Sequence, residues 1–230
     1  ESYKRIQYAG FSEYLLQASI NTLTLASIAT FITILVGFFI VSAARFSRTT
    51  WFSRISSLGY AIPGTVLAIG LMLSLGALDH AVADFFEFQL GISTGLLFLG
   101  TSFTLIYVYA VRFLAISIGS IESGYNRIHA VLDDAACNLG QNKRDILWRV
   151  HFPLLRPAII SAALLIFVDC MKELPATLLL RPLNMETLAT QLYAEASRGT
   201  YEDGAIAALL IVLVGLIPVI LLARMSKNSR

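Results

Sequence analysis

Three ionisable side chains stand inside one apolar run, where Asp169, Lys172 and Glu173 interrupt the stretch from Ala158 to Leu180. Charge in such surroundings is costly unless it pairs or faces water, so its chemistry is either ion pairing or the passage of an ion or proton. Spacings of three and four put all three groups on one face of a helix, where Lys172 can neutralise Asp169. At about 1.5 Å of rise per residue, Asp169 lies roughly 18 Å along the axis from Pro157, past the middle of a bilayer. Pro175 then breaks or bends the helix. Three readings stay open at this point: a structural salt bridge holding two halves of an assembly together, a helix that ends near Glu173 with its charges at the outer interface, and a direct role in a cation path or its gate. Other reactive types are sparse. Cys137 and Cys170 cannot build a disulfide framework, and His80, His129 and His151 show no zinc-ligand spacing, so all five are expected to be ordinary packing residues and no metal site is assigned. No GxxxxGK[ST] phosphate loop occurs, so the chain is not expected to hydrolyse ATP, and neither a catalytic residue nor a cofactor is assigned to it.

The elements that must carry these groups are membrane helices. Of 230 residues, 57% are hydrophobic and 14% charged, which does not fit a water-exposed surface. Seventeen Lys and Arg against fifteen Asp and Glu give a net charge of +2, without the electrostatic footprint of a nucleic-acid binder. A bilayer core needs roughly 20 apolar residues in helix. Five stretches approach that length, at 20–44, 58–78, 96–116, 157–180 and 204–223, with kinks expected at Pro63–Gly64 and Pro218. The fold class read from this pattern is all-α, a polytopic bundle of about five transmembrane helices in a single domain.

Basic residues mark cytoplasmic loops. Arg45, Arg48 and Arg54 follow the first stretch; Arg127, Lys143, Arg144 and Arg149 follow the third; Arg224, Lys227 and Arg230 follow the fifth. The facing loops hold Asp79, Asp84 and Glu87, then Glu186, Glu195, Glu202 and Asp203 against Arg198. This alternation puts the start of the chain outside and its end inside. The chain opens at Glu1 with no signal-peptide pattern, and an excerpt of a longer polypeptide is expected.

The inside loop at 117–156 has helical order of its own. Ile128, Val131, Leu132, Ala135, Ala136 and Leu139 recur at helix spacing, Gly140 falls where a left-handed C-terminal turn belongs, and Asn142 starts a second helix carrying Ile146, Leu147 and Val150 to Pro153. Periodicity alone leaves an amphipathic hairpin on the lipid surface as an alternative.

The string DDAACNLGQNKRDILWRVHFP resembles the EAA loop of permease subunits in binding-protein-dependent (type I) ABC importers. That pattern is Glu-Ala-Ala, three residues, Gly, nine residues, then Ile-x-Leu-Pro. Here it stands as Asp134, Ala135, Ala136, Gly140, Val150, Phe152 and Pro153, every spacing kept, with Asp for Glu, Val for Ile and Phe for Leu. The resemblance implies the MetI-like permease fold and a coupling helix seated on a separate ATPase dimer, with Asp134, Ala135, Ala136, Gly140, Val150 and Pro153 as the coupling residues.

A second resemblance covers most of the chain. DCMKELPATLLLRP and the segment after it, NTLTLASIATFITILVGF and YAIPGTVLAIG are similar to ferric-iron permeases of this superfamily, commonly two fused halves, and this chain is like the second half. Implied with it are ferric iron as substrate, a periplasmic substrate-binding protein, a second permease half fused or separate, and residence in the bacterial inner membrane. Permeases for thiamine, polyamines or phosphonates share the fold and loop. Beyond the superfamily stand an ion-coupled secondary transporter using Asp169, Lys172 and Glu173 as a relay, and a membrane scaffold without a transported substrate.

Overall fold

The computed structural model describes residues 13–47, 51, 58–91, 93 and 95–228. Arg48, Arg54 and Arg230, part of the basic bias, lie outside them. Among the described residues there is no strand. In chain order the helices are α1 (Glu13–Ser47), α2 (Leu58–Ala61), α3 (Gly64–Leu90), α4 (Ser102–Tyr125), α5 (Ala130–Asn138), α6 (Lys143–Met171), α7 (Pro175–Leu180), α8 (Leu188–Arg198) and α9 (Tyr201–Asn228). Four of them, α1, α3, α4 and α6, carry segments long and apolar enough to cross a membrane. The fifth apolar stretch falls within the 28 residues of α9.

Helix α4 is the hub, because its buried positions face α1 on one side and α6 on the other. In lipid, helices associate through close packing rather than through a hydrophobic driving force, so small residues line the contacts. Ala18, Thr22, Ala26, Ala29, Thr33 and Gly37 form such a stripe on α1. At Gly37 the approach is closest, since a Cβ there would stand 2.2 Å from the Ser117 Oγ and 2.8 Å from its Cβ. One core cluster, with Leu25, Leu105, Tyr109, Ile166 and Met171, lies toward α7; a second, with Phe38, Val41, Ile121, Tyr125 and Leu155, lies toward α5.

Several boundaries differ from the sequence expectation. Leu96–Leu99 do not begin the third long helix; Leu97, Phe98 and Leu99 instead wrap the buried Asp79 carboxylate, donating their N–H groups to Oδ1 at 2.8 and 2.9 Å and to Oδ2 at 2.8 Å. An apolar run therefore reads as span although its backbone is committed to a carboxylate. The second stretch is split at Pro63, as expected, but α3 then runs on to Leu90 and takes in Asp79, Asp84 and Glu87, expected in a loop. Helix α4 continues to Tyr125, and α6 starts as early as Lys143, so residues 126–142 alone separate the two long helices, where 117–156 was expected. The second helix of that loop does not stop at Pro153. Over Ile146–His151 it widens into a π-turn, which relieves the clash between the Pro153 ring and the carbonyl four residues before it and needs no N–H from proline. At the far end α6 stops at Met171, and the chain resumes helix at Pro175, whose fixed φ suits a first-turn position.

Candidate functional site

Two clusters hold the residues singled out by sequence. The first is α5 and its turn. Gln141 donates its N–H to the Ala136 carbonyl at 3.1 Å and Gly140 to the Cys137 carbonyl at 2.9 Å, with Gly140 at φ 78°. This pair of bonds is a Schellman stop, which needs a residue free to enter the left-handed region. Asn142 then caps α6, its Oδ1 accepting the Asp145 N–H at 2.9 Å. The turn thus sends α6 away from α5 with its end groups satisfied.

The apolar stripe on α5 divides in two. Ile128 and Ala136 are buried against the bundle, whereas Val131 is 71% exposed and Leu139 80%, with Leu132 and Ala135 also exposed. Asp134 and Gly140 are exposed beside them. On α6, Val150 is half-buried and Pro153 exposed, on either side of the fully buried His151. The six coupling residues implied by the EAA-like pattern therefore gather at one end of the bundle, and the end presents an uncovered apolar face.

Beneath that face lies a polar cluster that sequence reasoning missed. Asp133 Oδ2 accepts from Arg45 Nε of α1 at 3.0 Å, and its Oδ1 stands 2.7 Å from His151 Nε2 of α6. Arg45 also donates to the Ile128 carbonyl at 3.1 Å. Tyr125 of α4 touches His151 Nδ1 at 3.3 Å and Ser42 Oγ at 2.9 Å. His151, expected to be an ordinary packing residue, is fully buried and also makes these polar contacts. Its polar partners lie on α4 and α5, and no local motif announces them; the one usable signal was an acid, Asp133, placed off the apolar stripe.

The second cluster lies at the break between α6 and α7. Lys172 Nζ pairs with Asp169 Oδ1 at 2.8 Å, as the i,i+3 spacing implies. Glu173 does not share their face, because the helix has ended at Met171. It turns inward, is 7% exposed, and faces Arg112 of α4, whose Nε stands 3.3 Å from Oε2. The contact is one of charge rather than alignment, since the buried Nε and Nη1 of Arg112 make no well-directed hydrogen bond among the described residues. Glu173 also accepts the Ala176 N–H at 3.3 Å, capping α7. Arg112 went unremarked in the sequence because a single cation in a long apolar run leaves its periodicity intact. Gly64 completes the site: a Cβ there would lie 1.9 Å from Arg112 Nη1 and 2.9 Å from Glu173 Oε1. The Pro63–Gly64 break thus lets α3 close over the pair. Among the described residues no three His, Cys, Asp or Glu side chains converge to hold a metal ion.

No family model matches the chain. It is similar to the Fe(3+)-transport system permease protein FbpB 2 of Haemophilus influenzae, with 28% identity over 218 residues that make up 93% of this chain and 40% of that protein. A putative 2-aminoethylphosphonate transport system permease protein PhnV of Salmonella typhimurium is 26% identical over 92% of this chain and 75% of its own length. The chain therefore spans well under half of the ferric permease that it matches. Among solved structures, it superposes with TM-score 0.71 on a chain of a bacterial alginate ABC transporter in complex with an alginate-bound periplasmic protein, at 18% identity and over 98% of this chain and 85% of that one. The inward-facing MetNI methionine ABC transporter gives TM-score 0.63 at 16% identity, over 95% and 99%. The chain carries the fold of type I ABC importer permeases, an all-α multi-pass membrane bundle, and resembles ferric and phosphonate transport permeases in sequence.

Proposed function

We propose that this chain is one transmembrane half of an ABC importer permease that passes substrate from a periplasmic binding protein to the cytoplasm. The observation that carries the reading is the exposed apolar face of α5 and its turn, with Val131 and Ala135 uncovered on the nine-residue helix and Leu139 uncovered just after it, before the tight glycine turn. Such a face is expensive in water, and in this reading a protein groove covers it. A cytoplasmic ATPase dimer is the partner the reading assigns to it. Asp134, exposed near the start of α5, gives that groove a negative group to meet, favourably placed on the helix dipole. Small Ala135 permits close approach, and Gly140 turns the chain away. ATP hydrolysis belongs to the partner.

In this reading the inner membrane holds the chain with its first residues outside and its last inside, so that α5 faces the cytoplasm. A second permease half, fused or separate, completes the path, and Arg112, Asp169, Lys172 and Glu173 line or gate it from this side. Ferric iron is the proposed substrate, supported by the similarity to the Haemophilus influenzae permease. A phosphonate is the second reading. It is favoured by the Salmonella relatives.

The test is to purify the tagged chain from its own membrane with the proteins that come with it, and to measure ATP hydrolysis on addition of iron-loaded or phosphonate-loaded binding protein. Stimulation by iron-loaded protein supports the first reading, and stimulation by phosphonate-loaded protein the second. A chain that brings down no ATPase defeats both.

A further inference from the structure

Helix α5 is held to the bundle by very little apolar surface. Of its nine residues, Ala136 is the one buried side chain. A helix that short has no stability of its own in water, so its seat depends on the polar contacts of Asp133. One assignment of protons satisfies every group around it. Ser42 Oγ–H donates to Tyr125 Oη, Tyr125 Oη–H donates to His151 Nδ1, and His151 Nε2–H donates to Asp133 Oδ1. Arg45 Nε–H donates to Asp133 Oδ2. The guanidinium cancels the carboxylate, and the imidazole fills a site with no exposure at all. Phe46 stacks on that imidazole with ring centres 5.5 Å apart, and Tyr125 meets it edge-on at 5.1 Å. Lys143 Nζ stands over the Phe46 ring at 6.0 Å. Ends of α1, α4 and α6 are thus tied through one carboxylate to the helix that presents the docking face.

We propose that Asp133 and His151 form a latch that makes α5 move as one body with the ends of α1, α4 and α6, so that displacement of α5 is transmitted to the long helices. Asp133 and His151 are positioning residues in this account. The latch rests on the coupling reading of α5 above. Its failure leaves docking intact and breaks transmission, and that is the distinguishing mark.

Asp133→Ala and His151→Leu remove the tie without touching the exposed face. In the purified complex reconstituted into liposomes, both should retain the ATPase within about twofold, while uptake of ferric ion per ATP hydrolysed falls about tenfold, within the usual range of coupling energies. His151→Gln keeps an N–H for Asp133 and should lie near wild type. Hydrogen exchange gives a second arm that needs neither substrate nor ATPase: amides of 130–138 should exchange about tenfold faster in Asp133→Ala, with those of 104–121 unchanged. An unaltered uptake-to-hydrolysis ratio in both variants, or unaltered exchange in α5, overturns the latch. A parallel fall of uptake, hydrolysis and bound ATPase also overturns it, because a docking surface was then lost. If Asp133→Ala does not accumulate, the His151→Gln and His151→Leu comparison and Arg45→Gln decide; failure of all of them to accumulate assigns the cluster to folding and ends the proposal. If the wild-type chain itself brings down no ATPase, the coupling reading has failed, and exchange alone decides whether Asp133 holds α5.

Discussion

Glu173→Gln isolates the charge of the Arg112–Glu173 pair, because the amide keeps an oxygen for the Ala176 N–H that caps α7. What it removes is the anion 3.3 Å from the Nε of Arg112, a side chain that is 21% exposed. Breaking a buried pair from one side costs about 3–5 kcal/mol, and the partial exposure of Arg112 places this case at the lower end, about 3 kcal/mol. For a chain of this size each kcal/mol lowers the melting temperature by roughly 2–4 °C, so the variant should melt about 6–12 °C below wild type. Arg112→Gln should cost a similar amount, since it strands the buried carboxylate. The double variant leaves two neutral amides facing each other and should regain about 1–3 kcal/mol over the sum of the single changes. Thermal unfolding of the purified complex in detergent measures all four. A Glu173→Gln protein that melts within about 1 °C of wild type, or a double variant whose loss equals the sum, refutes the pairing. Uptake by the double variant separates two roles: recovery together with the melting temperature assigns the pair to structure, whereas recovered melting with dead transport assigns it to the path.

Three further predictions test other parts of the molecule. Gly140→Val forces a β-branched residue to φ 78°, at a cost of about 1–3 kcal/mol confined to the turn, and nothing within 4 Å in this chain is crowded; membrane insertion should survive while ATPase co-purification and uptake fall together. Asp79→Ala should lower the melting temperature and speed amide exchange at 97–99, because three N–H groups lose their acceptor, with Asp79→Asn lying between it and wild type. A cysteine at the exposed Asp84 should react with an impermeant thiol reagent from outside intact cells and one at Lys143 should not, and labelling at position 143 reverses the proposed orientation.

Where local chemistry dictates the backbone, sequence was sufficient. Gly140 and Asn142 mark a stop and a start whose hydrogen bonds are all made within five residues, and both stand as the spacing implies. The long apolar helices were legible for the same reason, since composition alone dictates them. Their ends were not. Leu97–Leu99 are as apolar as any span residue, and it is a carboxylate eighteen to twenty residues earlier that takes their N–H groups. Asp84 and Glu87 suggested a loop, yet a helix leaving a bilayer carries charge without unwinding. Pairing across the bundle was the least readable. Lys172 with Asp169 follows from spacing, but Arg112 with Glu173 and Arg45 with Asp133 join residues 61 and 88 positions apart, with no periodic signal between them.

The π-turn at Ile146–His151 has a consequence for how this chain tolerates length change. A π-turn is an α-helix that has absorbed one additional residue, and the residues on its two sides are out of phase by about 100° relative to an unbroken helix. Deleting a single residue there would restore regular winding and rotate the start of α6 by that angle about its axis. His151 would leave Asp133, and Asn142 would point the incoming turn elsewhere, although every long helix would keep its composition. The segment is thus a phase adjuster between the loop and the bundle. Insertions and deletions that are harmless in a surface loop become, within these six residues, changes of direction.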